Sequence, residues 1–324
     1  MNKIINFGII GAGRIAKKFA EGISYVKDAK LIAVASRSID SANAFGDAFG
    51  VKYRYDSYEA LAKNEEVDVV YIATPNALHK EHTLLCLNHK KAVICEKPFA
   101  ANMEEVKEMI QAAKDNRVFL MEAMWTRFFP LVKEVKKMVH DGIIGKVKMV
   151  KGDFGFKEEK GYDDIRFSKS LAGGAVMDVG IYPISFASMI FGSQPKEIKV
   201  MADIGPTGVD ELTALIFGYD EDRMALLSCA IMAETPRSVS IIGEKGYIHI
   251  PDVWYAAKKA VLKFVGEEEK VINMPMKGNG YNYEIEEVVN CLKAGQLESD
   301  IMPLNESLEI QETLDKIRKQ MGIL

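Results

Sequence analysis

Three short clusters in this chain combine residue types that redox and acid–base chemistry require. The first is Gly11-Ala12-Gly13-Arg14-Ile15-Ala16, a G-x-G-x-x-A pattern that follows an apolar run and opens a helical one. Gly11 permits a tight turn, Gly13 lets a pyrophosphate approach the backbone, and small Ala16 lets helix and strand pack closely. The unpaired N–H groups of the helix start, at Arg14 and Ile15, are donors for phosphate oxygens. The second cluster is Cys95-Glu96-Lys97-Pro98. A lysine just past a buried run is costly unless it faces a polar cleft; the alternative is that Lys97 pairs with Glu96 at the surface. The third is Gly173-Gly174-Ala175-Val176-Met177-Asp178-Val179-Gly180-Ile181-Tyr182. Asp178 and Tyr182, four apart, share a face of an otherwise apolar helix. Such a carboxylate and phenol are either a proton relay or an inward polar pair that fixes packing.

A dinucleotide fingerprint also asks what binds the adenosine ribose. An acid about 20 residues on would favour NAD. Here the second apolar run ends Ala35-Ser36-Arg37-Ser38. Arg37 can fork onto a 2′-phosphate, with Ser36 adding a hydroxyl, which points to NADP over NAD. The bland alternative leaves Arg37 in solvent, Asp40 on the ribose and Ser38 as a helix cap. Thr74-Pro75-Asn76 and His79 follow the fourth run, and Glu96 and Lys97 the fifth. Ligands of open α/β sheets sit beyond the carboxyl ends of strands, so these residues are expected at the cofactor. His79, His82 and Cys86 imitate a metal-binding face, but no recognised zinc spacing is completed and no metal is expected.

The elements that must position these clusters change character along the chain. Residues 3–10, 31–36, 68–74, 92–96 and 118–122 are near-continuous apolar runs rich in Ile and Val, with 51–54 a weaker sixth. Helical patterns separate them, best seen at 102–115, where Asn102 is the N-cap. This order predicts a doubly wound parallel Rossmann sheet over residues 1–122. Residues 123–324 form the second domain, for substrate binding and dimerisation. There, helices are expected at 130–140, 175–191, 283–294 and 306–321. Between 197 and 271, successive strands with turn signals predict an α/β domain with a largely antiparallel open sheet.

Composition narrows the classes further. The 324 residues carry 42 basic and 46 acidic side chains, a net charge of −4, which argues against nucleic acid as a partner. The apolar stretch 175–192 is interrupted by Asp178 and carries Pro183, so a membrane span is not expected. The opening MNKIINFGIIGAGRIA breaks on glycines and is read as strand and turn, not as a signal peptide. Four cysteines make no disulfide framework and suggest a reducing, cytoplasmic setting.

Together, GAGRIA, TPNALH, CEKPF and AGGAVMDVGIYP resemble the glucose–fructose oxidoreductase/inositol dehydrogenase (Gfo/Idh/MocA) family. MEAMWTRFFP and IMPL extend the similarity, from about residue 3 to 322, toward its dihydrodiol and NADP-dependent D-xylose dehydrogenase branch. The resemblance implies NAD(P)-dependent oxidation of a sugar or diol. The family's catalytic lysine falls on Lys97, its D-x-x-x-Y pair on Asp178 and Tyr182, and the branch's 2′-phosphate arginine on Arg37. A free phenol titrates near about 10, so the Lys97 ammonium would favour a Tyr182 phenolate as base. Asp178 is the alternative acceptor. A non-enzymatic NAD(P)-binding regulator is the rival class, but the presence of Lys97, Asp178 and Tyr182 favours an enzyme.

Aromatic residues suggest the substrate. Trp125 follows the last Rossmann strand and is expected near Lys97. Phe154 and Phe156 lie two apart on a strand, and Trp254 sits in a turn. Trp125, Phe154 and Trp254 could stack on a sugar or cyclohexadiene ring; core or interface packing is the alternative for the phenylalanines and Trp254. The expected substrate is a small cyclic polyol, D-xylose or a trans-dihydrodiol. A homodimer is expected because the helices at 130–140, 175–191 and 283–294 cover only one face of the second sheet, leaving Leu212, Leu215, Leu226 and Leu227, or their alternates, on the other.

Overall fold

The computed structural model describes residues 3–324. Six strands, β1 (Ile5–Ile10), β2 (Ala29–Ala35), β3 (Tyr53–Tyr55), β4 (Val69–Ile72), β5 (Ala92–Glu96) and β6 (Leu120–Ala123), form one sheet. Its order is β3-β2-β1-β4-β5-β6, and every pairing is parallel. The strand order reverses between β1 and β4, so the loops after their carboxyl ends diverge there and open the crevice where such sheets bind ligands. The crossovers are α1 (Arg14–Ile23), α2 (Ile39–Phe49), the short α3 (Tyr58–Ala62), α4 (His79–Asn88) and α5 (Met103–Asn116). Asn102 caps α5 by accepting from the Glu105 N–H at 3.0 Å, with Glu104 and Glu105 in the first turn, where the helix dipole favours acids. The third strand of the chain lies at Tyr53–Tyr55, two residues beyond the start of the weak run at 51–54.

The second sheet contains β7 (Val147–Gly155), β8 (Glu197–Ile204), β9 (Asp210–Tyr219), β10 (Arg223–Ala230), β11 (Val239–Gly243), β12 (Gly246–Ile250), β13 (Lys259–Phe264) and β14 (Lys270–Asn273). Their order is β14-β13-β12-β11-β7-β10-β9-β8. All neighbours are antiparallel except β7 and β10. Helix α6 (Pro130–His140) starts on a proline, whose missing N–H costs nothing in the first turn. Helix α7 (Ile181–Phe191) is preceded without a break by a π-helical turn, Val176–Gly180. The helical stretch Lys169–Phe191 has the length and hydropathy of a membrane-crossing segment, yet most of it is buried within the protein. It is apolar because it is core.

Two corrections to the sequence expectations emerge. The chain divides into two compact units, and the first is discontinuous: it runs to Trp125 and resumes over Lys277–Leu308. The consecutive halves 1–122 and 123–324 miss this return. Helix α8 (Tyr281–Ala294) therefore belongs to the first unit. Its start packs on α1, where Phe19 meets Tyr281 edge-on at 6.5 Å. A Cβ added to Gly22 would lie 2.8 Å from that of Tyr281, so glycine permits the approach. Helix α9 (Leu304–Gln320) spans the division. The second correction concerns side-chain facing: Leu215 and Leu227 point into the core, while Leu212 points out.

Glu284, in the first turn of α8, is fully buried, and among the described residues neither carboxyl oxygen has a hydrogen-bond partner. Burial first, and nearby Glu96 second, hold its pKa well above the usual 4.5. The folded protein keeps a proton that the unfolded chain releases, so this group costs stability as the pH rises above 4.5. Glu284→Gln does not titrate. Its unfolding free energy relative to the parent should increase as the pH is raised from the carboxylate range toward neutrality. Parallel stability curves in urea titrations would contradict this.

Candidate active site

In the first unit, Gly11 adopts φ +97°, and a Cβ there would stand 2.7 Å from the Ala73 carbonyl oxygen. The turn closes because the Gly11 N–H donates to the Ala35 oxygen at 2.9 Å. Gly13 is the N-cap of α1, and its Cβ position has nothing within 4 Å. Among the described residues no side chain caps α1, so the N–H groups of its first turn have no partner from a capping side chain. Buried Ala16 lies one turn inside. A glycine-lined gap before an uncapped helix start fits a pyrophosphate, with Arg14 and Ile15 on its rim.

At the end of β2, Ser36 donates its N–H to the Tyr55 oxygen at 3.0 Å. Ser38 is the N-cap of α2 and accepts from the Ser41 N–H at 3.4 Å. Arg37 is exposed between them. It faces Tyr58, whose phenol pKa is raised by burial against the opposing Arg37 charge. Tyr58 in turn meets His82 edge-on at 4.6 Å.

Two loops beyond β4 and β5 are tied together by one side chain. His79 is fully buried, with Nδ1 2.8 Å from the Pro98 oxygen and Nε2 2.9 Å from the Thr74 oxygen. Burial pushes its pKa down to about 4, against the pull of the two carbonyls. Both ring nitrogens lie against loop carbonyls, so the His79 ring spans the two loops. Asn76 opens the short turn between Thr74 and His79. Glu96 Oε1 accepts from the Tyr71 hydroxyl, and Oε2 accepts from the Lys97 N–H at 3.2 Å. The Glu96 carboxylate thus fixes the backbone that presents Lys97, which is half-buried and precedes a cis peptide bond to Pro98. Trp125, half-buried, stacks on Tyr281 at 4.7 Å.

In the second unit, Asp178 lies in the π-helical turn and Tyr182 in the first turn of α7. Pro183 has no N–H, and its ring would clash with the Val179 carbonyl of a regular helix; the wider turn, closed from the Ile181 N–H to the Val176 oxygen, avoids this. Asp210 anchors the start of this helix. Its Oδ2 accepts from the Val176 N–H and the Thr213 hydroxyl, both at 2.8 Å. A Cβ on Gly174, at φ +111°, would lie 2.3 Å from Asp210 Oδ1. Arg127, nearly fully buried, holds α7 through Ser185, with Nε 2.9 Å from its hydroxyl and Nη2 2.8 Å from its carbonyl.

The Asp178 carboxylate is paired. Arg166 Nε donates to Asp178 Oδ2 at 2.8 Å, while Nη1 donates to Glu158 at 2.7 Å and Asp164 at 2.8 Å. Arg166 was not legible as a site residue. It stands in the charged run KEEKGYDDIRFSK, where nothing distinguishes it from solvated neighbours. The Tyr182 ring lies 5.2 Å from Phe154 and 5.7 Å from Tyr255, which stack on each other at 3.9 Å. Phe156 sits 6.4 Å from Phe154 and beneath Arg166.

Trp254 does not join this aromatic group as a substrate surface. It is fully buried, its indole N–H donates to the Asp153 oxygen at 2.8 Å, and its ring meets Phe186 edge-on. Left-handed backbone at Asp252 and Val253 turns Trp254 inward, and its neighbour Tyr255 takes the place beside Phe154.

Residues 5–124 match the oxidoreductase family with an NAD-binding Rossmann fold, and residues 132–249 match the GFO/IDH/MocA C-terminal domain. The chain belongs to the Gfo/Idh/MocA oxidoreductase family. A Gfo/Idh/MocA relative, the trans-1,2-dihydrobenzene-1,2-diol dehydrogenase of Xenopus laevis, is 36% identical over 98% of both chains. Solved structures share the fold. Aldose-aldose oxidoreductase from Caulobacter crescentus is 23% identical, with a TM-score of 0.91 over 99% of this chain and 98% of that one. The 3-ketoreductase KijD10 from Actinomadura kijaniata, solved with NADP and TDP-benzene, is 22% identical, with a TM-score of 0.86 over 97% of each. The first unit of this family member is thus the NAD-binding Rossmann domain of an oxidoreductase.

Because the Gly13 Cβ position is open, Gly13→Val should keep the parent's melting temperature. It should weaken dinucleotide binding at least about tenfold, or ~1.4 kcal/mol. Gly11→Val should instead lower the melting temperature, since strained backbone alone costs about 1–3 kcal/mol. Thermal melts and nicotinamide fluorescence titrations distinguish the two outcomes.

Proposed function

We propose that this protein is an NADP-dependent dehydrogenase of a small cyclic polyol, a trans-dihydrodiol or an aldopyranose such as D-xylose. The observation that carries this reading is Tyr182, a phenol bordered by the Phe154–Tyr255 stack and following the ion-paired Asp178 on one helix. Flat aromatic rings suit the C–H face of a ring substrate, and the phenol and carboxylate suit its hydroxyls. The dihydrodiol dehydrogenase activity named for the Xenopus laevis relative supports the substrate class.

A bound nicotinamide would supply the hydride acceptor at C4. Tyr182 takes the proton of the reacting hydroxyl as the carbonyl forms. Lys97, presented by the Glu96 brace, holds the substrate oxygen. Asp178, already bonded to Arg166, orients a neighbouring hydroxyl. Trp125 supplies a further ring surface. The test is turnover with trans-dihydrodiols, D-xylose and inositols: no turnover of the first two moves the substrate to another polyol. General acid–base groups contribute about 10²–10⁴-fold, so Lys97→Ala and Tyr182→Phe should each lower kcat by that factor while cofactor binding survives. Near-normal kcat in Tyr182→Phe would exclude the phenol as base.

Arg37, exposed at the end of β2, makes NADP the preferred cofactor over NAD. A charge-assisted bond to a 2′-phosphate contributes about 1.5–3 kcal/mol. Arg37→Ala should therefore weaken NADP about ten- to a hundredfold and leave NAD nearly unchanged. Equal losses for both cofactors would reject the assignment.

The reading includes a homodimer, formed through the outer face of the second sheet. Met201, Leu212, Ile216 and Met224 stand out from that face at 80%, 46%, 49% and 40% exposure. On three neighbouring strands, they make an apolar patch of the kind that pairs across a two-fold axis. The parent should sediment as a dimer at micromolar concentration and Ile216→Asp as a monomer; a monomeric parent overturns the proposal. The cytoplasm suits four cysteines that are all free thiols.

A further inference from the structure

Asp178 does not stand alone with its guanidinium. Glu158, Asp164 and Asp178 all bind Arg166, at 2.7, 2.8 and 2.8 Å. The four side chains are no more than 22% exposed, so solvent screens them little. Three carboxylates on one cation leave two negative charges in excess. The planar fork of Arg166 serves them in different directions: Nε to Asp178, and Nη1 to the other two. The guanidinium lies over the Phe156 ring, 5.3 Å from its centre, which fixes its plane from one side. The Arg166 N–H also bonds Asp164 Oδ1 at 3.1 Å, so the same carboxylate shapes the turn and holds the side chain.

We propose that Arg166 is a positioning residue of the reaction, which keeps Asp178 ionised and in one orientation, with Glu158 and Asp164 locking the guanidinium in place. This rests on the reading that Asp178 serves the reaction. Arg166 and Asp164 lie in the turns before the helix, Glu158 in the segment after β7 and Asp178 in the π-helical turn, and Arg166 joins the three carboxylates. Arg166 is the cation that bonds all three carboxylates. Without it, three carboxylates confront one another, and Asp178 holds its proton to higher pH. A lysine keeps the charge but offers a single point in place of the fork, so it restores ionisation better than orientation.

The test compares Arg166→Gln, Arg166→Lys and Asp178→Asn, each checked for folding by circular dichroism. Carbon-13 NMR titration of labelled aspartate carboxyls, with Asp178 assigned from the Asp178→Asn difference, reads ionisation without turnover. In Arg166→Gln the Asp178 titration and the acid limb of kcat should both move up by about 1–3 pH units, and dinucleotide affinity should hold. Arg166→Lys should return the limb most of the way while kcat stays reduced. A folded Arg166→Gln, or a folded Arg166→Lys if the glutamine variant does not fold, with parental titration and parental kcat overturns the proposal. If the titration moves but Asp178→Asn retains parental kcat, Arg166 still governs Asp178 and it is the role of Asp178 in the reaction that fails.

Discussion

The candidate chemistry of the second unit depends on one buried carboxyl group. Asp210 accepts from the Val176 N–H and leaves Gly174 no room for a side chain. An uncapped helix start inside a protein would leave N–H donors without partners, at about 1–3 kcal/mol for each one lost. By satisfying one of them from β9, Asp210 decides where the helix begins. That fixes the π-helical turn and the places of Asp178 and Tyr182 after it. Burial raises the Asp210 pKa, and the bonds from Val176 and Thr213 oppose that shift. The anchor therefore depends on its own hydrogen bonds to remain charged.

The first unit solves the same problem with backbone and loops. Gly11 accepts a left-handed conformation to pass close to Ala73, and His79 bridges the loops after β4 and β5. Glu96 then holds the Lys97 N–H. Both units place polar groups at the ends of apolar elements and immobilise them through the main chain. Orientation is thus set before any ligand arrives, which is where much of catalytic efficiency originates.

What the sequence made legible follows from how local each feature is. The G-x-G-x-x-A turn, the α5 cap at Asn102 and the alternation of runs and helices are written within a few neighbouring residues. The structure has them where those residues stand. The grouping of Arg166 with Glu158, Asp164 and Asp178 joins residues up to 20 apart across irregular turns, and no periodicity marks it. Trp254 is buried instead of lining a substrate surface because two left-handed residues precede it, which its own type does not reveal. His79 opens the helix after the fourth strand, as its position suggests, and its ring turns inward to two carbonyls. A position rule locates a residue and does not aim its side chain.

The return of Lys277–Leu308 to the first unit has a consequence for how the protein is made. On the ribosome, the six-stranded sheet is synthesised early, but the helix that covers Phe19 arrives only after the whole eight-stranded sheet has emerged. Until then, the nascent first unit displays apolar surface that α8 will cover, so the order of synthesis makes it wait for its insertion. A gene cut at residue 125 would strand that surface permanently, whereas one cut at both 125 and 277, with the ends rejoined, would keep the unit's own helix.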